Sequence, residues 1–112
     1  GGSGSFFRDG EYIPLFKVTP IYPRRAQERG IMGYAIVSFT ITETGTVENP
    51  QPLEGACGDP TNPDTVFRPC SIFNSAASRA AVKLKYKPKI VDGKAVRVDE
   101  VPHKFTFILE ED

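Results

Sequence analysis

Residues 34–42, Tyr-Ala-Ile-Val-Ser-Phe-Thr-Ile-Thr, constrain this chain more than any other stretch. In an extended strand, Ala35, Val37, Phe39 and Ile41 share one face. Ser38, Thr40 and Thr42 share the other, together with Tyr34 and Ile36. Side chains alternate across a strand, so this segment has one side for a core and one for solvent. Such a strand belongs in an antiparallel sheet with one face covered. The rest of the chain must supply its neighbours and its cover.

Two helices are expected as the cover. Pro23 suits the first helical position, where a missing N–H costs nothing, and Gly30 suits the left-handed position just past the end. Tyr22 would be the N-cap, although it caps poorly. Ile21 and Ala26 are spaced as a hydrophobic staple. This helix is only about two turns long, so tertiary packing must hold it. Ser71 can cap a second helix over 72–86. Phe73, Ala76, Ala77, Ala80 and Leu84 form its apolar face, and its alanines permit close approach to a sheet. Lys83, Lys85 and Lys87 crowd the end where the helix dipole favours cations, and Pro88 ends it.

Further strands flank these helices. Residues 11–18 are rich in apolar side chains but contain Pro14, so any strand there is irregular or at an edge. Glu43-Thr44-Gly45 reads as a three-residue hairpin loop with Gly45 in the left-handed bulge position. The following strand, from Thr46 to about Leu53, is weakened by Pro50 and Pro52. Residues 54–70 read as a loop, long for a compact domain. Asp92-Gly93 marks a turn before a final strand. Pro102 cannot donate to a ladder, which puts that strand at the sheet edge. The expected fold is α+β, with two helices on one face of a small antiparallel sheet of about three to four strands. The chain has 112 residues, the size of one domain. Residues 1–5 read as a flexible linker or fusion scar, and 6–112 as a single domain, a piece of something longer.

Cys57 and Cys70 flank a segment rich in Gly, Pro, Asp and Asn. A disulfide would close that loop, stabilise by about 3 kcal/mol and imply an oxidising compartment. The alternative is two free thiols in a cytosolic loop. Zinc needs four ligands, the spacing is wrong for a knuckle, and the chain has one histidine.

Several function classes receive no support. Formal net charge is zero, so no electrostatic footprint for nucleic acid stands out. No apolar run approaches the roughly 18 residues of a membrane span, and no signal peptide is visible. No Ser-His-Asp order, HExxH, P-loop or glycine-rich nucleotide turn occurs, and His103 alone makes a poor case for a general base. No enzyme, cofactor or metal is expected. Two binding features remain. An edge strand can accept an extended peptide as an extra strand, although Glu100, Pro102 and Lys104 can equally protect it. Arg24 and Arg25 stand at the positive end of the first helix dipole, where cations are mildly unfavourable. A local rule broken without visible return marks candidate functional surface; otherwise they form an exposed basic turn.

The ordered set Tyr22-Pro23, Gly30, Gly33, Val37, Phe39, Ile41, Gly45 and Val47 resembles the start of the C-terminal domain of TonB energy transducers. Phe73, Ala77, Ala80 and Tyr86-x-Pro88 resemble that family's second helix, while 91–96 and the terminal Phe-Thr-Phe-Ile-Leu fit its last turn and strand. The likeness covers about residues 11–110; the cysteine-bearing insert at 55–70 departs from it. The resemblance implies a periplasmic domain of a Gram-negative cell, in a protein anchored in the inner membrane. It implies coupling of the ExbB–ExbD complex, reached through an absent N-terminal part, to outer-membrane TonB-dependent receptors importing siderophores, haem, cobalamin or sugars. The receptor's TonB box would add as a strand along about Val98–Leu109. Partner-contact residues would then be Val98, Val101, His103, Lys104, Phe105, Thr106 and Phe107, with Tyr22, Pro23, Arg24 and Arg25 as a second zone. The alternative is a TolA-like envelope-spanning or peptidoglycan-binding module. Monomer and homodimer both stay open, because an edge strand can pair with its own copy.

Overall fold

A computed structural model of the chain describes residues 12–110. The elements run α1 (Arg24–Arg29), β1 (Gly33–Ile41), β2 (Val47–Cys57), β3 (Arg68–Pro69), α2 (Asn74–Ala81), β4 (Lys89–Val91), β5 (Lys94–Val96) and β6 (Val98–Phe107). One sheet has the order β3-β2-β1-β6, with all its pairings antiparallel. β4 and β5 form a separate two-stranded hairpin. The expected α+β layer is therefore present. Residues 1–5 and Glu11 lie outside the described residues.

β1 is the central strand, and its alternation sets the layers. Ala35, Val37, Phe39 and Ile41 are buried, as expected. Over them pack Ala26 of α1, Phe73, Ala77, Ala80 and Ala81 around α2, then Leu84 and Tyr86. From β6 come Val101, Phe105 and Phe107. The small alanines of α2 bring its backbone close to the sheet, and the Phe73 and Phe107 rings stack at 4.3 Å between centroids. At about 25 cal/mol per Å² of apolar surface, such aromatics dominate the burial term.

The β1–β2 hairpin closes as its sequence requires. Gly45 N–H donates to Thr42 O, Thr42 N–H donates to Thr46 O, and Gly45 has φ 84°. The same glycine receives another part of the chain. Tyr86 N–H donates to Gly45 O, and a Cβ on Gly45 would lie 2.0 Å from Tyr86 O.

Four boundaries differ from the sequence reading. Pro23 rather than Tyr22 is the N-cap of α1, so the helix starts one residue later than expected, and the extended ψ of 132° at Pro23 explains why. α2 is Asn74–Ala81, not 72–86, and Phe73 rather than Ser71 occupies its N-cap. Its early end has a tertiary cause. Leu15 N–H donates to Lys85 O and Tyr86 N–H to Gly45 O, which commits 85–86 to extended pairing. β2 runs on to Cys57 despite its prolines, because register shifts and the left-handed Asn49 (φ 54°) absorb them. The loop thus begins near Gly58 rather than at 54. Finally, Asp92 (φ 51°) and Gly93 (φ 80°) join β4 to β5 in the two-residue geometry that matches strand twist, a hairpin where only a turn was expected.

The cysteines are bonded. Cys57 and Cys70 stand 5.7 Å apart at Cα and close a loop of separation 13. Beside the bond, β3 pairs Pro69 with Ala56 and Arg68 with Cys57.

Candidate partner-binding surface

β6 lies at one end of the sheet order, so one of its sides faces no strand among the described residues. The hydrogen-bond parity of the ladder tells which groups face outward. Gly58 N–H donates to Met32 O, on the β2 side of the chain entering β1. Main-chain groups alternate sides along a strand, so Tyr34, Ile36 and Ser38 face β2. Gly33, Ala35, Val37 and Phe39 then face β6, where their partners are Phe107, Phe105, His103 and Val101. That leaves Pro102, Lys104 and Thr106 with main-chain groups directed away from the sheet. Pro102 has no N–H, and only this parity spares the ladder a missing bond. The outer edge thus offers the N–H groups of Lys104 and Thr106 and the carbonyls of all three.

The side chains of the expected contact list divide by the same parity. Val101, Phe105 and Phe107 are buried at 0, 3 and 2% exposure. They are core residues, and their main-chain groups serve β1. Of the three, only Phe105 also lines the groove beside this edge. Lys104 and Thr106 are exposed, and Val98 and His103 are half-buried. His103 packs against the Phe105 ring at 4.6 Å. Lys104 reaches across the solvent face, with Nζ 4.4 Å from the Tyr34 ring centroid. Tyr34 in turn donates to Glu54, which raises its phenol above the ordinary value.

Beside this edge runs a groove of about 610 Å³. One wall is the segment from Ile13 to Pro20, and the other is His103, Lys104, Phe105 and Thr106 with Ile108. A strand added to β6 would have this groove next to it. Sequence reasoning missed the wall at 13–20, since nothing in that irregular apolar stretch says where it lies.

The second expected zone also separates into parts. Tyr22 is a structural pin. Its ring packs edge-on to Phe73 at 5.8 Å and Phe107 at 5.7 Å, and its hydroxyl donates to Ile31 O. Burial pushes its phenol above the ordinary value. Pro23 caps the helix. Arg24 and Arg25 are exposed, and Arg24 makes only a loose pair with Glu28 at 3.8 Å. An exposed i,i+4 pair of this kind is worth a few tenths of a kcal/mol. Among the described residues no cluster of three or more His, Cys, Asp or Glu side chains could hold a metal.

Comparison with known proteins agrees with this architecture. The family described as Gram-negative bacterial TonB protein C-terminal matches residues 18–59. The solution structure of the Pseudomonas aeruginosa TonB C-terminal domain superposes with a TM-score of 0.62 at 31% identity, covering 94% of this chain and 93% of that one. The chain belongs to the TonB C-terminal domain family. A second TonB structure, of the TonB2 protein from Vibrio anguillarum, gives a TM-score of 0.58 at 32% identity, covering 96% of this chain and 91% of that one. Protein TonB of Pseudomonas aeruginosa is 35% identical over 94 residues, which is 84% of this chain. The chain spans about a quarter of that relative's length, 24%. Within this TonB C-terminal domain the matched segment 18–59 carries α1, β1 and β2, and β6 lies beyond it.

Proposed function

We propose that this domain binds an extended segment of an outer-membrane TonB-dependent receptor, the TonB box, by strand addition along the outer side of β6. The observation that carries the reading is the outward main-chain set of Pro102, Lys104 and Thr106 at an edge with no strand partner among the described residues. Main-chain pairing supplies affinity without demanding one side-chain sequence, which suits a module that serves many receptors. Each bond is worth about 0.5–1.5 kcal/mol net, so the affinity is modest and the grip reversible. Force along the strand axis loads these bonds together rather than one at a time.

In the whole protein this domain would act in the periplasm. An inner-membrane anchor and the ExbB–ExbD complex would supply the pull, and receptors for siderophores, haem, cobalamin or sugars would use it. No described helix is long and apolar enough to cross a membrane, so the anchor would be supplied outside this segment. The domain's role is binding and transmission, with no chemical step of its own. Residues 6–112 are taken as a single domain in this proposal.

The test is titration of the isotope-labelled domain with a TonB-box peptide. The amides of Lys104 and Thr106 shift, because their N–H groups gain acceptors, whereas those of Val101 and Phe105 shift less. If Lys104 and Thr106 stay in place at saturation, strand addition at β6 is wrong.

A further inference from the structure

On the helical side of the molecule a second groove, of about 330 Å³, separates the chain entering α1 from α2. Thr19, Pro20, Ile21, Tyr22, Pro23 and Arg24 form one wall. Ile72, Ser75, Ala76, Arg79, Ala80 and Lys83 form the other. At about 30 Å³ per water, the space holds roughly ten waters, or one large apolar side chain with part of its backbone. The alanines give it depth. Its charges are all of one sign: Arg24, Arg79 and Lys83 stand around it, and no Asp or Glu lines it. Among the described residues neither Arg79 nor Lys83 has a carboxylate partner, and Arg24 has only the loose Glu28. The wall at Thr19–Ile21 belongs to no helix or strand and makes no backbone hydrogen bond to other described residues. Ile21 is 78% exposed beside it.

We infer that this groove docks an acidic peptide segment carrying one apolar anchor residue. The anchor fills the space over Ala76 and Ala80, acidic side chains meet Arg24, Arg79 and Lys83, and the main chain of Thr19 and Ile21 offers hydrogen bonds. A cationic rim around an apolar floor attracts such a segment over distance and then desolvates its anchor. Arg79 and Lys83 stand at the negative end of α2, and no carboxylate among the described residues competes with a ligand for them. The groove also divides the adjacent arginines that open α1. Arg24 lines it and Arg25 does not. The inference deepens the reading of 22–25 as partner surface and rests on it through Arg24 alone; the β6 edge is a separate site.

Two synthetic peptides test it on the isotope-labelled domain: Asp-Glu-Leu-Asp-Glu, and the same sequence with Ser for Leu. The expected result is shifts at Ile21, Ala76, Arg79 and Lys83 with the leucine peptide, unchanged amides at Lys104 and Thr106, and clear weakening with added salt. The R79A/K83A double variant binds about tenfold more weakly, a loss of about 1.4 kcal/mol. R25A binds as the parent does. R79E/K83E transfers the preference to Lys-Lys-Leu-Lys-Lys, which shows that the variant remains folded and that charge selects the ligand. Equal binding of the serine peptide overturns the anchor. Absence of shifts, or shifts confined to β6, overturns the site while leaving the TonB-box titration to decide strand addition by itself. Stronger shifts of the same amides with vesicles of anionic phospholipid overturn a peptide in favour of a membrane surface.

Discussion

Tyr22 shows how a residue can carry a family signature and still face inward. The Tyr-Pro pair reads from sequence as an exposed start to a short helix, yet the ring sits between Phe73 and Phe107 and the hydroxyl ties the helix to Ile31 O beyond its far end. Tyr22→Phe removes that one hydrogen bond and costs about 1 kcal/mol, measured by urea denaturation. It also changes the alkaline limb of stability. Burial raises the Tyr22 phenol above its unfolded value near 10. A raised value means that this contribution is complete below about pH 10 and is lost as pH climbs through the folded value. Tyr22→Phe is therefore expected to flatten the alkaline loss; an unchanged profile would assign that loss to Tyr34, whose phenol is also raised. Two glycines make a sharper pair. Gly30 (φ 69°) has nothing within 4 Å of a notional Cβ, so Gly30→Ala carries only the left-handed penalty of about 1–2 kcal/mol. Gly45 (φ 84°) adds a collision with Tyr86 O at 2.0 Å. Gly45→Ala is expected to cost clearly more, about 3 kcal/mol or above, and thermal unfolding of the two variants side by side checks the order. Both glycines were legible as left-handed turn positions. The second demand on Gly45 was not, because Tyr86 is distant in sequence.

At the scale of elements, the two outer strands of the sheet are treated differently. β3 is two residues long and covers only the Ala56–Cys57 end of β2, held there by the Cys57–Cys70 bond. β6 is ten residues long and carries Pro102, Lys104 and Thr106 outward. This asymmetry gives a direct test of the parity argument. Lys104→Pro removes an N–H that faces away from β1, so the domain keeps its ladder, while peptide binding at β6 falls at least tenfold. Phe105→Pro removes an N–H that faces β1 and is expected to destabilise the fold itself. Calorimetry for binding and circular dichroism for folding separate the two; equal destabilisation by both would refute the assigned parity. At the other edge, Cys57→Ala with Cys70→Ala is expected to cost about 3 kcal/mol through the freed loop. Alternation in β1, the edge position of β6 and the bonded cysteines were all readable from local pattern and proline chemistry. The end of α2 at Ala81 and the extension of β2 to Cys57 were not. Each is decided by a partner far along the chain, Gly45 and Leu15 for the residues after α2, and β1 with β3 for the end of β2.

At the scale of the molecule, the β6 surface and the tendency to self-pair both follow from what the sheet leaves open, while the second proposed surface lies on the helical side. The domain measures 50 × 30 × 23 Å, with the β6 edge and the groove over α2 formed by different elements. The buried face of the sheet was legible because alternation announces it. The grooves were not, because each needs the Thr19–Pro20 region placed against a wall from the second half of the chain. Formal net charge is zero at pH 7, so repulsion between copies is at its weakest there. An open edge with no net repulsion pairs with itself unless something else occupies it. Sedimentation of the domain at rising concentration is therefore expected to show a dimer at neutral pH that diminishes as pH is moved away from neutrality. A saturating TonB-box peptide shifts it back to monomer, because peptide and second copy compete for the same N–H groups of Lys104 and Thr106. Lys104→Pro suppresses dimer and peptide binding together. If the peptide binds while the dimer persists, self-association runs through another face, and the exposed Val66 and Phe67 of the disulfide-closed loop become the first residues to change.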